Sequence, residues 1–257
     1  MTTVFDLTLM LADKVSNLRR GTSNSGSTST TLTDPRETFA NGDIGGTVWI
    51  LDDQLKAARR ISAVSTNTIT FSTLTAGTAG IFGRPLLYAV ADKDFTLIEY
   101  LAAVNEALRK FNPRIEKTVL TARQDKTSYV LPSGVRNITK VEIIREEGGK
   151  PRTTDHWDEV QSALIFSKGY EPETGTIRLT YRAAHQEMKL TETVPATVDE
   201  ELTLWAATAN LARLGLRRFA NDEKRGMMNL FNEAQAELTR LKPNFNEPQR
   251  SPRPADW

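Results

Sequence analysis

Apolar residues recur near the start of the chain at Val4, Leu7, Leu11, Val15 and Leu18, in steps of three and four. That spacing places them on one face of an α-helix, with Arg19, Arg20 and Gly21 as its C-terminal stop. The same period returns three times. Leu97, Leu101, Val104, Leu108 and Phe111 trace a second helix, with Asp92 or Asp94 available as its cap and Pro113 just beyond its end. Val198, Leu202, Trp205, Ala209, Ala212 and Leu216 trace a third, and Met227, Phe231, Ala234, Leu238 and Leu241 a fourth. The AND at 220–222 is the break and cap between these last two, and so short a connection predicts an antiparallel helix hairpin. Isolated helices of this length are marginal in water, so the four stripes are expected to face one another.

Between the stripes the period shortens to two. From about 39 to 90 the chain reads GTVWIL, ARRISAVS, NTITFST and RPLLYAV, separated by DDQ, TN and the glycine-rich AGTAG. Ile69 and Phe71 fall on one face and Thr68 and Thr70 on the other, as in antiparallel strands with one packed face. A second β section, TSYVLP, NITKVEIIRE, SALIFS and GTIRLTYR, is punctuated by PSG, EEGGKP and EPETG. TSNSGSTSTTLTDP has no periodic apolar face and reads as a flexible connection. PNFNEPQRSPRPADW carries four prolines, which exclude a helix or an inner strand and leave an extended end. The expected fold class is α+β: a small antiparallel bundle of four amphipathic helices with two antiparallel β insertions and an extended C-terminal arm. The expected divisions are a helix at 1–20, a linker at 21–38, a β module at 39–91, a helix-β-helix-helix domain at 92–242 and the arm at 243–257.

Charge and composition narrow the function. Thirty-three Lys and Arg face 32 Asp and Glu, a net charge of +1, so attraction to nucleic acid has to be local. The absence of cysteine removes disulfides, thiolate metal sites and a cysteine nucleophile. MTTVFDLTLMLADKV lacks a basic start and is broken by Asp6 and Asp13, a poor signal peptide. IFGRPLLYAVA is too short and too interrupted to span a bilayer, and no membrane segment is expected.

No catalytic, cofactor-binding or metal-binding residues are expected. His156 in DHWDE has carboxylate neighbours but no familiar ligand spacing, and His185 in YRAAHQEM has no cysteine or serine elbow to serve. NGDIGG lacks the spacing of a dinucleotide loop, and in EEGGKPRTT Pro151 stands where a phosphate loop needs Ser or Thr. Arg213 and Arg217 at i and i+4, with Arg218 beside them, are candidate contacts to DNA phosphates, as are Arg59 and Arg60. Such groups are more often solvated or paired with carboxylates. Trp49, Tyr88 and Trp157 are the aromatics available to a glycan-binding β module, although core packing explains such rings more often.

From about Asp92 onward the order of parts resembles the adaptor class of bacteriophage head-to-tail connectors, the ring beneath the portal. The resemblance runs through TLIEYLAAVNEALRKF, SYVLPSGVRNITKVEII, GTIRLTYRAAH and TVPATVDEELTLWAATANLARLG to a second terminal helix, about two thirds of the chain. GRPLLYAVADKDFT is similar to the end of small β modules of phage neck proteins. The N-terminal helix and this module make the chain long for an adaptor, which leaves a neighbouring neck or tail-completion role open. The resemblance implies a non-enzymatic virion protein, assembled in the host cytoplasm and located in the neck. It further implies a ring of self-copies, commonly twelvefold, that binds the portal and a downstream neck or tail protein around a DNA channel. In such a ring Phe245, Arg250, Arg253 and Trp257 would be the partner-binding residues of the arm, and Arg213, Arg217 and Arg218 non-specific DNA contacts. The competing expectation is a tail or baseplate accessory that recognises a surface glycan or protein through the β module.

Overall fold

A computed structural model describes residues 2–52, 55–74, 84–111, 114–145, 150–183 and 185–241. The chain divides into two compact units. Met1–Asn112 and the return segment from Gln186 form the first; Pro113–His185 forms the second. The first unit opens with α1 (Val4–Val15), then β1 (Arg19–Thr22), β2 (Thr31–Thr33), a 3-10 turn at Asn41–Asp43, β3 (Thr47–Asp52), β4 (Leu55–Ser65), β5 (Thr68–Phe71), β6 (Leu87–Ala91) and α2 (Leu97–Phe111). The second holds β7 (Arg114–Ala122), β8 (Ser128–Val130), β9 (Ile138–Arg145), β10 (Arg152–Thr154), β11 (Trp157–Val160), β12 (Ala163–Phe166) and β13 (Gly175–Ala183). The chain then returns to the first unit with α3 (Glu200–Arg218) and α4 (Asn221–Leu241).

The expected small helical bundle with β insertions is not what forms. Among the described residues the protein is a strand-rich, mixed α/β structure with four helices and mostly antiparallel sheets, one of them a six-stranded, curled half-barrel. Five strands carry the difference. β1 (RRGT), β2 (TLT), β10 (RTT) and β11 (WDEV) offer at most two apolar residues each, and β7 (RIEKTVLTA) mixes apolar and polar residues on both faces. Without alternation their sequences give no period-two signal; pairing with better-patterned neighbours makes them strands.

The six-stranded sheet runs β1-β6-β3-β4-β5-β2. β4 turns its corner: residues 55–60 pair with β3, residues from Ile61 on pair with β5, and the register shifts between Ile61 and Ala63. Such a bulge bends a strand and raises its twist. Beyond β1, the Ser23 N–H donates to the Leu86 carbonyl and the Asn24 N–H to the Thr33 carbonyl, both at 2.8 Å, which draws the two sheet edges together. Alternation then separates two cores. Val48, Ile50, Ile61, Ile69, Phe71, Tyr88 and Val90 fill the inside of the curl. Trp49, Ala58, Ala89 and Ala91 face the other way, among Val4, Leu11, Tyr100, Val104, Leu202 and Ala206 of the helices.

The polar segment 21–38 is ordered rather than a loose connection. Its hydroxyls and carboxylate satisfy backbone and buried groups: Ser23 Oγ accepts from the Leu86 N–H at 3.0 Å, Ser27 Oγ from the Thr33 N–H at 3.1 Å, and Asp34 from the Tyr88 hydroxyl at 3.0 Å. Local polar bonding of this kind replaces the apolar signal on which a strand assignment normally rests.

The helix ends follow from their caps. At the start of α1, Thr3 and Asp6 form a capping box. The helix stops at Val15, and Arg19, Arg20 and Gly21, read as its stop, belong to a strand paired with β6. α2 is capped by Thr96 and Glu99, not by Asp92 or Asp94: the Glu99 N–H donates to Thr96 Oγ1 at 3.3 Å and the Thr96 N–H to Glu99 at 2.7 Å. Asp199 caps α3 through the Leu202 N–H at 2.9 Å. Only Phe219 and Ala220 separate α3 from α4, and Asn221 takes φ +52°, a left-handed turn that asparagine tolerates better than most residues.

The second unit is a sandwich of two sheets, ordered β10-β9-β13-β7 and β11-β12-β8. Their inner faces share a core of Val141, Ile177 and Leu179 from the larger sheet and Tyr129, Leu164 and Phe166 from the smaller.

Candidate functional site

Residue by residue, the arginines of α3 separate into two kinds. Arg213 and Arg217 are exposed, one turn apart on the same helix face. Arg218 is engaged: its guanidinium donates to Glu99 and to the Asp94 carbonyl and lies over the Phe95 ring at 5.7 Å. Burial raises the Glu99 carboxyl, but the Arg218 and Thr96 bonds outweigh that and hold it below its ordinary value. Arg218 therefore fastens α3 to the start of α2. Arg59 donates to the Ala58 carbonyl at 2.9 Å, and Arg60 is exposed.

A second ionic group collects beside the rim of the curled sheet. Arg19 pairs with Glu37 at 2.8 Å and with Asp43, whose side chain is 8% exposed. Asp34, 3% exposed, accepts from Tyr88, and burial followed by that bond raises the Tyr88 hydroxyl's pKa. Close by, burial pushes the Asp92 carboxyl up, and repulsion from Asp94 and Asp43 adds to it. An aspartate raised in the folded state opposes folding at neutral pH, and the opposition fades as pH falls toward its ordinary value of 3.8. Asp92→Asn keeps the acceptor for the Asp94 N–H and removes the charge. The expected result is a gain of a few tenths of a kcal/mol at pH 7, held small by solvent screening and shrinking in acid, read from urea unfolding at several pH values. An equal gain at pH 3 and pH 7 would rule out the charge as its cause.

The histidines do not converge. His156 stacks on Tyr170 with ring centroids 3.6 Å apart, and His185 is 7% exposed. Among the described residues no group of three or more His, Asp or Glu is arranged to hold a metal ion. The aromatics considered for glycan binding are core residues: Trp49 and Tyr88 are 0% and 2% exposed. Trp157 is buried at 7%, with its Nε1 donating to the Thr154 carbonyl at 2.9 Å. None presents a ring face to solvent. The arm residues Phe245, Arg250, Arg253 and Trp257 lie outside the described residues.

What the sequence reading missed is the surface of the second unit. β7 pairs along all nine of its residues with β13 and, among the described residues, with nothing on its other side. Its outward side chains include Ile115 and Val119, 62% and 61% exposed. The register puts Lys117, Arg178, Arg182 and Lys140 on that same face with a single carboxylate, Glu142. Glu142 lies 2.6 Å from Lys140 and 3.7 Å from Arg178. The Lys140 bond is the main reason its carboxyl sits below the ordinary value, with Arg178 and Lys117 adding to it. The one available signal was the pairing of Ile115 and Val119 with Lys117 and Thr121 on one side of RIEKTVLTA, apolar residues on a face that a solvated strand would make polar.

Among the described residues, no helix is long and apolar enough to cross a membrane. Compared with known proteins, the chain matches no protein-family model and no curated protein sequence.

Proposed function

We propose that this protein is a structural assembly component, a head-to-tail adaptor that docks as a ring on a phage portal and joins it to the tail around a DNA channel. The observation that carries the assembly part is the outer edge of β7, a long, regular strand with no further strand paired beyond it among the described residues and flanked by exposed Ile115 and Val119. Natural proteins usually cover, shorten or interrupt such an edge, because its unpaired N–H and C=O groups recruit another chain. The order of helices and β sections from Asp92 onward supports the phage connection through its resemblance to adaptors. On this reading the protein resides in the virion neck, its partners are the portal, a downstream neck or tail protein and further copies of itself, and a twelvefold ring is the commonest form.

Exposed Arg213 and Arg217 then face packaged DNA without sequence preference, and the arm anchors on the portal or an adjacent subunit through Phe245, Arg250, Arg253 and Trp257. Mass photometry and electron microscopy of the full chain, alone and mixed with portal rings, test the assignment. Rings or a portal complex are the expected result; a monomer in both samples overturns it. Deleting residues 243–257 should leave the thermal unfolding of both units unchanged and weaken portal attachment at least tenfold, since an aromatic anchor in a partner pocket contributes about 2 kcal/mol or more. Attachment at full strength removes the arm from the interface.

A further inference from the structure

Large apolar side chains exposed to water concentrate in the second unit. Ten are exposed among the described residues, and Ile115, Val119, Val130, Val160 and Tyr170, half of them, belong to Pro113–His185. Four of the five lie on outer sheet faces. On the four-stranded sheet they are Ile115 and Val119. On the three-stranded sheet the register aligns Val130, Ala163 and Val160 in one row across β8, β12 and β11, with Val130 81% and Val160 48% exposed. The next row on that face is Ser128, Ile165 and Asp158. Because the two sheets share one core through their inner faces, these outer faces look in opposite directions.

The faces also differ in charge. The four-stranded face carries Lys117, Lys140, Arg178 and Arg182 against Glu142, while Asp158 is the one ionic strand residue on the three-stranded face. The four-stranded face does not suit itself. Pairing the basic face with its own copy opposes like charges, which suppresses association. The two faces suit each other, apolar row against apolar row and cationic ground against an acidic neighbour.

The geometry points to a head-to-tail contact between copies of this chain, in which the β7 side of one second unit packs on the β8-β12-β11 face of the next. A contact between two different patches on opposite faces is heterologous, and repeated copies either close into a ring or grow as a filament. A two-fold contact uses one patch twice and stops at a dimer. This inference rests on the assembly reading above and assigns to it a surface and a direction.

The absence of cysteine makes the contact directly testable. Val119→Cys and Val130→Cys are made singly and together in the full chain and treated with a short thiol-specific cross-linker. The double variant is expected to give a ladder of covalent dimers, trimers and higher species, and each single variant only monomer. Covalent dimers from a single variant would show a two-fold contact and overturn the inference. A second pair of variants works without cross-linking. Ile115→Lys with Val119→Lys damages one face, Val130→Lys with Val160→Lys the other, and circular dichroism confirms that both fold. Each alone should stay monomeric, and an equimolar mixture should form one-to-one dimers and stop there, because only one intact face of each remains.

Unaltered oligomers from either Lys variant, or no ladder from an oligomeric double-Cys variant, would overturn this surface and leave the assembly reading standing. An unmodified chain that stays monomeric alone and with portal overturns both.

Discussion

Trp49→Ala is expected to cost about 3–5 kcal/mol, the range for removing a large aromatic from a packed core, and to be the most damaging single truncation in the first unit. Trp49 has no exposed surface and meets Tyr100 edge-on with ring centroids 5.6 Å apart. Tyr100 touches Phe95 in the same way at 6.1 Å, and its hydroxyl is 2.5 Å from the Ser16 hydroxyl just past α1. Truncation therefore opens a cavity where the sheet, α1 and α2 meet. Trp49→Phe is the informative control. The indole Nε1 has no hydrogen-bond partner among the described residues, so phenylalanine discards a buried donor that already lowers stability. The loss of ring volume still costs, and a net change of about 1 kcal/mol is expected from these opposed effects. Urea denaturation of both variants with unchanged m-values checks the pair. Equal losses for Ala and Phe would mean that the indole ring system as a whole, and not aromatic contact with Tyr100, holds this corner.

Gly46→Ala is expected to be the second large effect, about 2–3 kcal/mol, the upper part of the range for overpacking. A β-carbon at Gly46 would lie 2.3 Å from the carbonyl oxygen of Ala91 and 2.9 Å from the carbonyl carbon of Asp92. Both are backbone atoms beside the β3–β6 pairing, where Thr47 stands opposite Ala91, so neither can move without shifting the sheet. Gly215→Ala looks similar by distance and should behave differently. Its β-carbon would meet Met227 Sδ at 2.7 Å and Cγ at 2.8 Å, atoms of a flexible side chain that can turn aside, and the Phe219 ring at 3.2 Å. Alanine also favours a helix interior over glycine by about 0.8–1 kcal/mol, so Gly215→Ala should come out near neutral. Thermal or urea unfolding separates the two, and a Gly46→Ala protein as stable as the parent would disprove the close strand approach at Ala91.

The contrast between what the sequence revealed and what it hid has one physical source. Val4, Leu7 and Leu11, and likewise Val104 and Leu108, lie in the core because a helix must turn a continuous apolar stripe toward its neighbours. GTVWIL and RPLLYAV were readable as strands for the same reason. β1, β2 and β10 were not, since their order comes from partners distant in sequence and from hydroxyl bonds that a polar composition conceals. The helical-bundle expectation failed at this step, counting apolar stripes while the unmarked strands completed three sheets.

Among the functional candidates, sequence spacing found Arg213 and Arg217 but could not separate Arg218, whose partners Glu99 and Asp94 lie more than a hundred residues away. Trp49, Tyr88 and Trp157 stood out as aromatics and proved to be packing residues. The exposed face around Ile115 and Val119 escaped notice because apolar residues in a strand are ordinarily read as inward-facing.

The interruption of the first unit by the second sets a schedule for synthesis. α1 is made first, yet the Val4 and Phe5 N–H groups donate to the carbonyls of Glu192 and Leu190, and Thr3 bridges to Thr193. At ordinary elongation rates of about 5–20 residues per second, those partners leave the ribosome roughly 10–40 s after α1. Pro113–His185 is continuous in sequence and is complete before the return segment exists. The curl's inner core, built from residues 32–90, and then the sandwich are complete in the nascent chain while the core shared by α1, α2 and the sheet's outer face still waits for α3. A chaperone that shields apolar helices should bind nascent chains ending near residue 185 and release them once α3 and α4 emerge.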